Sequence, residues 1–176
     1  MNDHIYLIVG RSGSGKTAIV EYIQNNFKDM TSIESYTTRK RRYDGETGHI
    51  FVTDEEFNKL KNIVAYTEFD GKRYATTAQQ VDENDFYVVD PAGVRYFWDH
   101  YRGDKHVHIV VITASVWTRF KRMCQRDGMT KAMKRIWHDH KAFKGVENMA
   151  DIIIENEDEL HVAVSELLSY IDQYNQ

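Results

Sequence analysis

The sequence contains a single proline, Pro91, and a single cysteine, Cys124. One cysteine excludes an internal disulfide and suits a reducing compartment. No Pro-, Gly- or Ser-rich tract marks a linker, and there are no internal repeats or low-complexity segments. No apolar run approaches the roughly 18 residues that a membrane span requires. The N-terminal Met-Asn-Asp-His lacks the basic region of a secretory signal. A formal net charge of −4 gives no general attraction to nucleic acid or to an anionic membrane. These absences leave one expectation: a cytoplasmic protein folding as one domain over residues 1–176, with neither nucleic acid nor membrane as partner. With 41% hydrophobic and 28% charged residues, the composition is that of an ordinary globular chain, long enough for a hydrophobic core.

The most informative stretch that is present is Gly10-Arg11-Ser12-Gly13-Ser14-Gly15-Lys16-Thr17. It fits G-x-x-x-x-G-K-[ST] and stands in the required context. Ile5 to Val9 upstream is a β-branched, apolar run that reads as a buried strand. Thr17 to Phe27 downstream carries Ala18, Ile19, Tyr22 and Ile23 at the spacing of one helix face. Glycines allow successive amide N–H groups to point at an anion, and the helix N-terminus adds its partial positive charge. Lys16 supplies a full charge for β/γ-phosphates and Thr17 a hydroxyl for Mg²⁺. The pattern therefore predicts binding of a nucleoside triphosphate.

The rest of the chain alternates. A short strand is expected over 31–36, strand-like residues at 49–52, and a helix from about 54 to 61 started by the capping box Thr53-Asp54-Glu55-Glu56. Residues 63–69 and 72–76 should pair across Asp70-Gly71, a hairpin signal. Residues 37–80 thus read as a small β-rich insertion. Strands follow at 86–90, 107–112 and 152–154. Helices follow around 93–99, from Ser115 to about Arg126, from Thr130 to about Phe143, and from Glu157 to Tyr170. Repeated β-α units imply a three-layer αβα fold with a parallel central sheet and ligands at the carboxyl ends of its strands.

Two groups of arginines bear on a second ligand. Arg39 and Arg42 follow the 31–36 strand, and an arginine fork binds phosphate bidentately; a solvated basic loop is the alternative. Arg119, Arg122 and Arg126 share one helix face beside a break at Asp127-Gly128. They read either as mobile charges closing over a transferring phosphoryl group or as a solvated face. His138-Asp139-His140 does not have metal-ligand spacing on a helix and reads as surface. Cys124 has core periodicity, and Trp98, Trp117 and Trp137 read as packing residues.

In combination these segments resemble the guanylate kinase family. The resemblance runs from about His4 to Tyr170. It rests on the glycine loop, Ser35 to Arg42, Gly45-Glu46, Phe51-Val52, the acidic capped helix at Thr53 to Glu56, Asp90-Pro91-Ala92-Gly93, the lid arginines and Ile152 to Leu160. It implies a P-loop kinase core over about 1–36 and 81–176, an acceptor-binding insertion over 37–80 and a helical lid over about 122–143. It implies ATP and Mg²⁺ as co-substrates, with Gly10, Ser12, Gly13, Ser14, Gly15, Lys16 and Thr17 on the phosphates and Asn156 near the adenine. Thr17 and Asp90 would organise the metal. Arg39, Arg42, His49 and Tyr74 would surround the acceptor's phosphate. Ser35, Thr76 and Asp90 would approach its base. Lys16, Arg39, Arg122, Arg126 and Arg135 would carry the charge stabilisation of catalysis.

The chain departs from the family pattern in three places. His49 stands where the family has a phosphate-binding tyrosine, and Ala65 where it has the glutamate that reads guanine. The lid is about two residues short and has Met129-Thr130-Lys131-Ala132-Met133 in place of an acidic run. Glu68 and Asp70 are the nearest carboxylates in the sequence. The expectation is ATP-dependent phosphorylation of a nucleoside monophosphate, GMP or dGMP first. Two alternatives stay open: another acceptor, such as a different nucleotide or ribose 1,5-bisphosphate, and a non-catalytic binding module of guanylate kinase type.

Overall fold

A computed structural model describes residues 3–157 and 159–174. By internal contacts the chain divides into two compact units, one formed by Met1–Leu7 and Met30–Val107, the other by Ile8–Asp29 and His108–Gln176. The expected insertion, 37–80, lies within the first unit, and the expected lid, 122–143, within the second.

In chain order the elements are β1 (His4–Val9), α1 (Lys16–Asn26), β2 (Ser35–Thr37), β3 (His49–Phe51), α2 (Asp54–Phe57), β4 (Ile63–Phe69), β5 (Lys72–Thr77), α3 (Ala78–Glu83), β6 (Phe86–Val88), α4 (Pro91–His100), β7 (His106–Thr113), α5 (Val116–Asp127), α6 (Met129–Ala142), β8 (Ile152–Glu155) and α7 (Leu160–Asp172). A one-turn 3₁₀ helix, Val146–Met149, precedes β8. The central sheet has the order β6-β1-β7-β8, and flanking helices give the parallel α/β arrangement read from the alternation. No helix among the described residues is long and apolar enough to cross a membrane.

In the first unit a second sheet, β3-β2-β5-β4, accounts for the β-rich segment. β2 and β3 run parallel, with Ser35 opposite His49, while β5 pairs antiparallel with both β2 and β4. Asp70 and Gly71 take φ of 51° and 66°, the left-handed pair that a tight hairpin turn requires. The Thr53–Glu56 capping box forms as read, but α2 ends at Phe57. A second capping box, Thr77 with Gln80, starts α3, an element absent from the sequence reading. Asp90 caps α4, with Pro91 in the first turn where its missing N–H costs nothing. The apolar side of α4, Val94 and Phe97, is buried, and α4 packs on β4.

In the second unit α1 packs on α7, α5 on α6 and α7 on β8. Ile19, Ile23, Ile112, Met123, Ile154 and Leu167 are fully buried there. α7 begins at Leu160, not at Glu157, and the Glu157 carboxylate serves another helix. It accepts the backbone N–H of Ser115 and, at 2.6 Å, the Thr118 hydroxyl, so it helps to cap α5. The three tryptophans do not pack as expected: Trp98, Trp117 and Trp137 are 51%, 73% and 70% exposed. Cys124 is half-buried. The surface reading of His138-Asp139-His140 holds for the two histidines only, since Asp139 is buried.

Phe97 is fully buried and stacks on Tyr101 at 4.7 Å between centroids. Phe97→Ala should destabilise the fold by about 3–5 kcal/mol in urea unfolding, the cost of a large buried ring replaced by a cavity.

Candidate functional site

The glycine loop leaves β1 and enters α1 as the motif requires. Gly13 and Gly15 take φ of 80° and 94°, conformations that other residues rarely adopt. A Cβ on Gly15 would collide with the Asn156 side-chain amide, and one on Gly13 with the Arg119 backbone at 2.7 Å. The close approach of neighbouring groups and the backbone dihedrals thus both demand glycine. The first turn of α1 holds no acidic residue, so its N-terminal dipole is left open to an anion.

A ring of side chains holds the loop from outside. Arg119 Nε donates to Ser12 O at 3.1 Å, and Arg122 to Asn156 O at 2.9 Å, Glu157 O at 3.0 Å and Gly13 O at 3.5 Å. Asn156 Nδ2 donates to Ser14 O at 2.8 Å. Lys16 Nζ donates to Gly10 O at 2.5 Å and Arg11 O at 3.5 Å. Asp139 on α6 accepts the Ser12 backbone N–H at 2.6 Å and lies 3.8 Å from Arg119. Arg11 reaches Glu147 at 2.6 Å and Phe143 O at 3.1 Å. Burial draws the Arg119 guanidinium below its usual range, with Asp139 opposing the shift.

The arginine stripe on α5 therefore divides. Arg119 is 4% exposed and packed against the loop, so it fits neither of the two readings, a mobile charge or a solvated face. Arg122 is tied to the β8–α7 connection. Arg126 is exposed, with Nη2 2.7 Å from Asp127 Oδ2. Arg135 is half-buried on α6, and Thr17 is exposed in the first turn of α1. Two buried atoms in the loop region have no hydrogen-bond partner among the described residues: Ser14 Oγ and Asn156 Oδ1.

The second constellation lies within the first unit. Arg39 grips Glu46 with both Nη atoms at 3.0 Å, and Glu46 also accepts the Arg42 backbone N–H at 2.7 Å. The Arg42 guanidinium stands 3.8 Å from the same carboxylate and is half exposed. Arg41 donates to Glu46 O at 2.6 Å. The Arg39 hydrogen bonds, with the nearby Arg42, hold the Glu46 carboxyl down at about 2. Phe51 carries Arg39 and Arg41 on its ring at 5.1 and 4.3 Å. His49 stands beside Tyr74, ring centroids 5.6 Å apart, and its Nδ1 is 2.9 Å from Ser35 Oγ. Burial, then the Arg39 charge, pulls the His49 imidazole below its usual range.

Ala65 and Thr76 are fully buried. The Asp90 carboxylate is already engaged, with Oδ1 accepting the Gly93 N–H at 2.7 Å and Oδ2 the Thr67 hydroxyl at 2.9 Å. Burial pushes the Tyr87 phenol well above its usual range, with the Thr76 side chain opposing and the Asp90 charge adding to the shift. Glu68 and Asp70 are exposed, so neither carboxylate turns in to stand where Ala65 is.

Four contributors escaped the sequence reading: Glu46, Thr67, Tyr87 and Asp139. Glu46 had a signal, as one of two acids, with Asp44, that closely follow four basic residues. Thr67 and Tyr87 had none, since their roles depend on which face of a strand turns inward. Asp139 was hidden by the exposed histidines on either side.

Two variants check this geometry. Gly15→Ala should lose most ATP-analogue affinity in calorimetry while the far-ultraviolet dichroism stays native, because the added methyl displaces the Asn156 side chain. Glu46→Gln bears on acid stability. A carboxyl at about 2 when folded and near 4.5 when unfolded adds stability above the higher value and loses it as pH falls toward the lower. The variant should therefore be less stable than the parent at pH 7, with the gap closing between about pH 4.5 and 2 in denaturant titrations.

Comparison with known proteins now places the chain. The family model described as guanylate kinase matches residues 2–174. A guanylate kinase of Geobacter sulfurreducens is 26% identical over 60% of this chain and 58% of its own length. One of Syntrophotalea carbinolica is 35% identical over 47% of this chain and 41% of its own. The chloroplastic/mitochondrial guanylate kinase 2 of Oryza sativa is 26% identical over 96% of this chain and 63% of its own. The matches thus span less than two thirds of each relative's length. A crystal structure of guanylate kinase from Anaplasma phagocytophilum superposes with a TM-score of 0.60 at 18% identity, covering 97% of this chain and 86% of that one, a likeness of fold. With nearly every residue inside the family model, the chain belongs to the guanylate kinase family.

Proposed function

We propose that the chain transfers the γ-phosphoryl group of ATP to a nucleoside monophosphate, with GMP or dGMP the first candidate acceptors. The observation that carries this reading is the glycine loop. Its carbonyls are held from outside, its left-handed glycines are packed against Asn156 and Arg119, and its helix N-terminus is free of acid. Such a loop suits a polyphosphate and little else.

The residues fit the nucleotide and its ion. Ser14 Oγ and Asn156 Oδ1 are buried polar atoms awaiting partners. Thr17 offers a hydroxyl, a hard oxygen donor of the kind Mg²⁺ prefers, and among the described residues no cluster of three His, Cys, Asp or Glu stands ready for a metal. The ion would keep phosphate oxygens and water as its other ligands. It would supply charge neutralisation at the β- and γ-phosphates.

Lys16 would exchange Gly10 O and Arg11 O for β/γ-phosphate oxygens. Arg39 and Arg42 would take the acceptor's phosphate, with Glu46 setting the angle of the fork. An oxygen of that phosphate forms the new bond to the γ-phosphorus as the bond to ADP breaks, so no protein nucleophile is required. Arg122, Arg126 and Arg135 would offset the charge of the moving group, with residues 122–143 acting as the lid and 37–80 as the acceptor-binding part. Positioning and electrostatics would supply the rate enhancement.

A second acceptor class keeps its place because of one observation. Ala65 is buried opposite Thr76 of β5, and the carboxylates of Glu68 and Asp70 in the same hairpin are exposed. Both readings are separated by ADP release from ATP–Mg²⁺ with GMP, dGMP, AMP, IMP, the pyrimidine monophosphates and ribose 1,5-bisphosphate. Selective turnover of GMP or dGMP supports the first reading, and selective turnover of another member the second. Lys16→Ala should lower turnover at least about a hundredfold with the fold intact. Near-normal turnover in that variant would refute the phosphate-site assignment, and silence of the parent with every acceptor would refute the kinase reading.

A further inference from the structure

The cluster around Arg39 contains one group that can change charge near neutral pH, and it is His49. Its imidazole is fixed by the β2–β3 register, which places Ser35 opposite it and brings Ser35 Oγ to 2.9 Å from Nδ1. Nε2 has no hydrogen-bond partner among the described residues. The ring is bounded by Tyr74 on β5 and, at 6.0 Å, by Phe51, on which the Arg39 guanidinium rests.

The charged groups around it are Arg39, Arg42 and Glu46 from the 39–46 segment, with Tyr74 the other titratable group. Glu34 accepts the N–H of the adjacent Gly48. One carboxylate, Glu46, faces two guanidinium groups. The cluster therefore carries excess positive charge beside a half-buried imidazole, and a proton there is opposed by both burial and charge. A terminal phosphate brings two negative charges to the same place and reverses the field.

We propose that His49 takes up one proton when a phosphomonoester binds at Arg39 and Arg42, so that the acceptor's phosphate is recognised as a dianion by two guanidinium groups and an imidazolium. The proposal rests on the acceptor-site reading given above. Its proton comes from bulk water, and no covalent bond other than N–H forms. In the free protein burial and the Arg39 charge keep the imidazole below its ordinary range and neutral at pH 7. With the dianion bound its affinity for a proton rises. The sign follows from linkage: a site that gains a proton on binding holds its ligand more tightly as pH falls, by up to about tenfold per pH unit between the free and bound values. A phosphodiester or a carboxylate, each with a single negative charge, gives a weaker reversal and poorer binding.

The test is calorimetric titration with GMP, and separately with ribose 5-phosphate as a probe of the phosphate alone. Buffers of different ionisation enthalpy at several values between pH 7 and 8.5 keep the phosphate largely dianionic. The parent should take up close to one proton at pH 7, and its affinity should weaken as pH rises. His49→Gln cannot titrate, and its binding should be flat with pH and free of proton uptake. Arg39→Ala should lose binding of both probes.

Equal uptake in His49→Gln, or binding by the parent with no uptake, overturns the proposal. So does undiminished binding of the probes by Arg39→Ala. Proton-coupled binding without turnover of any monophosphate would leave the proposal standing and remove the kinase reading. Turnover with pH-independent, uptake-free binding would do the reverse.

Discussion

A loop that turns its amide N–H groups toward an anion cannot also use its carbonyls for helix or sheet, and each carbonyl must find a donor elsewhere. In this chain five successive carbonyls do so. That of Gly10 is taken by Lys16, that of Arg11 by the Ser14 N–H at 3.1 Å and by Lys16 at 3.5 Å, that of Ser12 by Arg119, that of Gly13 by Arg122 and that of Ser14 by Asn156. The side-chain donors come from α1, α5 and the residue after β8, so much of the second unit exists to keep that loop in one conformation. Asp139 and Glu147 complete the arrangement by holding Ser12 N–H and Arg11.

The other unit meets a different constraint, the mutual repulsion of Arg39, Arg41 and Arg42 gathered within four residues. Glu46 answers it. A buried carboxylate receives Arg39 in a two-point fork, the Arg42 N–H, and has Arg41 on its backbone carbonyl. The cations are thereby held in fixed positions, an arrangement that would lower the ordering cost of binding an anion there. The aromatic face of Phe51 supports the same guanidinium groups from the side.

The sequence made the fold and the loop legible because their signals are local. G-x-x-x-x-G-K-T, the Asp70-Gly71 turn and the Thr53–Glu56 box each specify a conformation within a few residues, and all three form. Thr77-Ala78-Gln79-Gln80 carries the same kind of local cap signal, just beyond the expected hairpin, and it too forms. What could not be read was long-range. Arg119 and Arg126 share one helix face, yet Arg119 is buried between the glycine loop and Asp139 of α6 while Arg126 meets solvent. Ala65 was legible as a departure, but that Thr67 would bond Asp90, and that Glu68 and Asp70 would face solvent, depended on the twist and bulge of β4.

The exposure of the tryptophans has an optical consequence. Trp117 and Trp137 stand on α5 and α6 with most of each indole in water, and Trp98 is half uncovered on α4. Intrinsic emission from the native protein is therefore already that of hydrated indole, red-shifted and open to collisional quenchers. It records the surroundings of the α5–α6 pair far better than it records the loss of the core, whose unfolding is followed more faithfully by backbone dichroism.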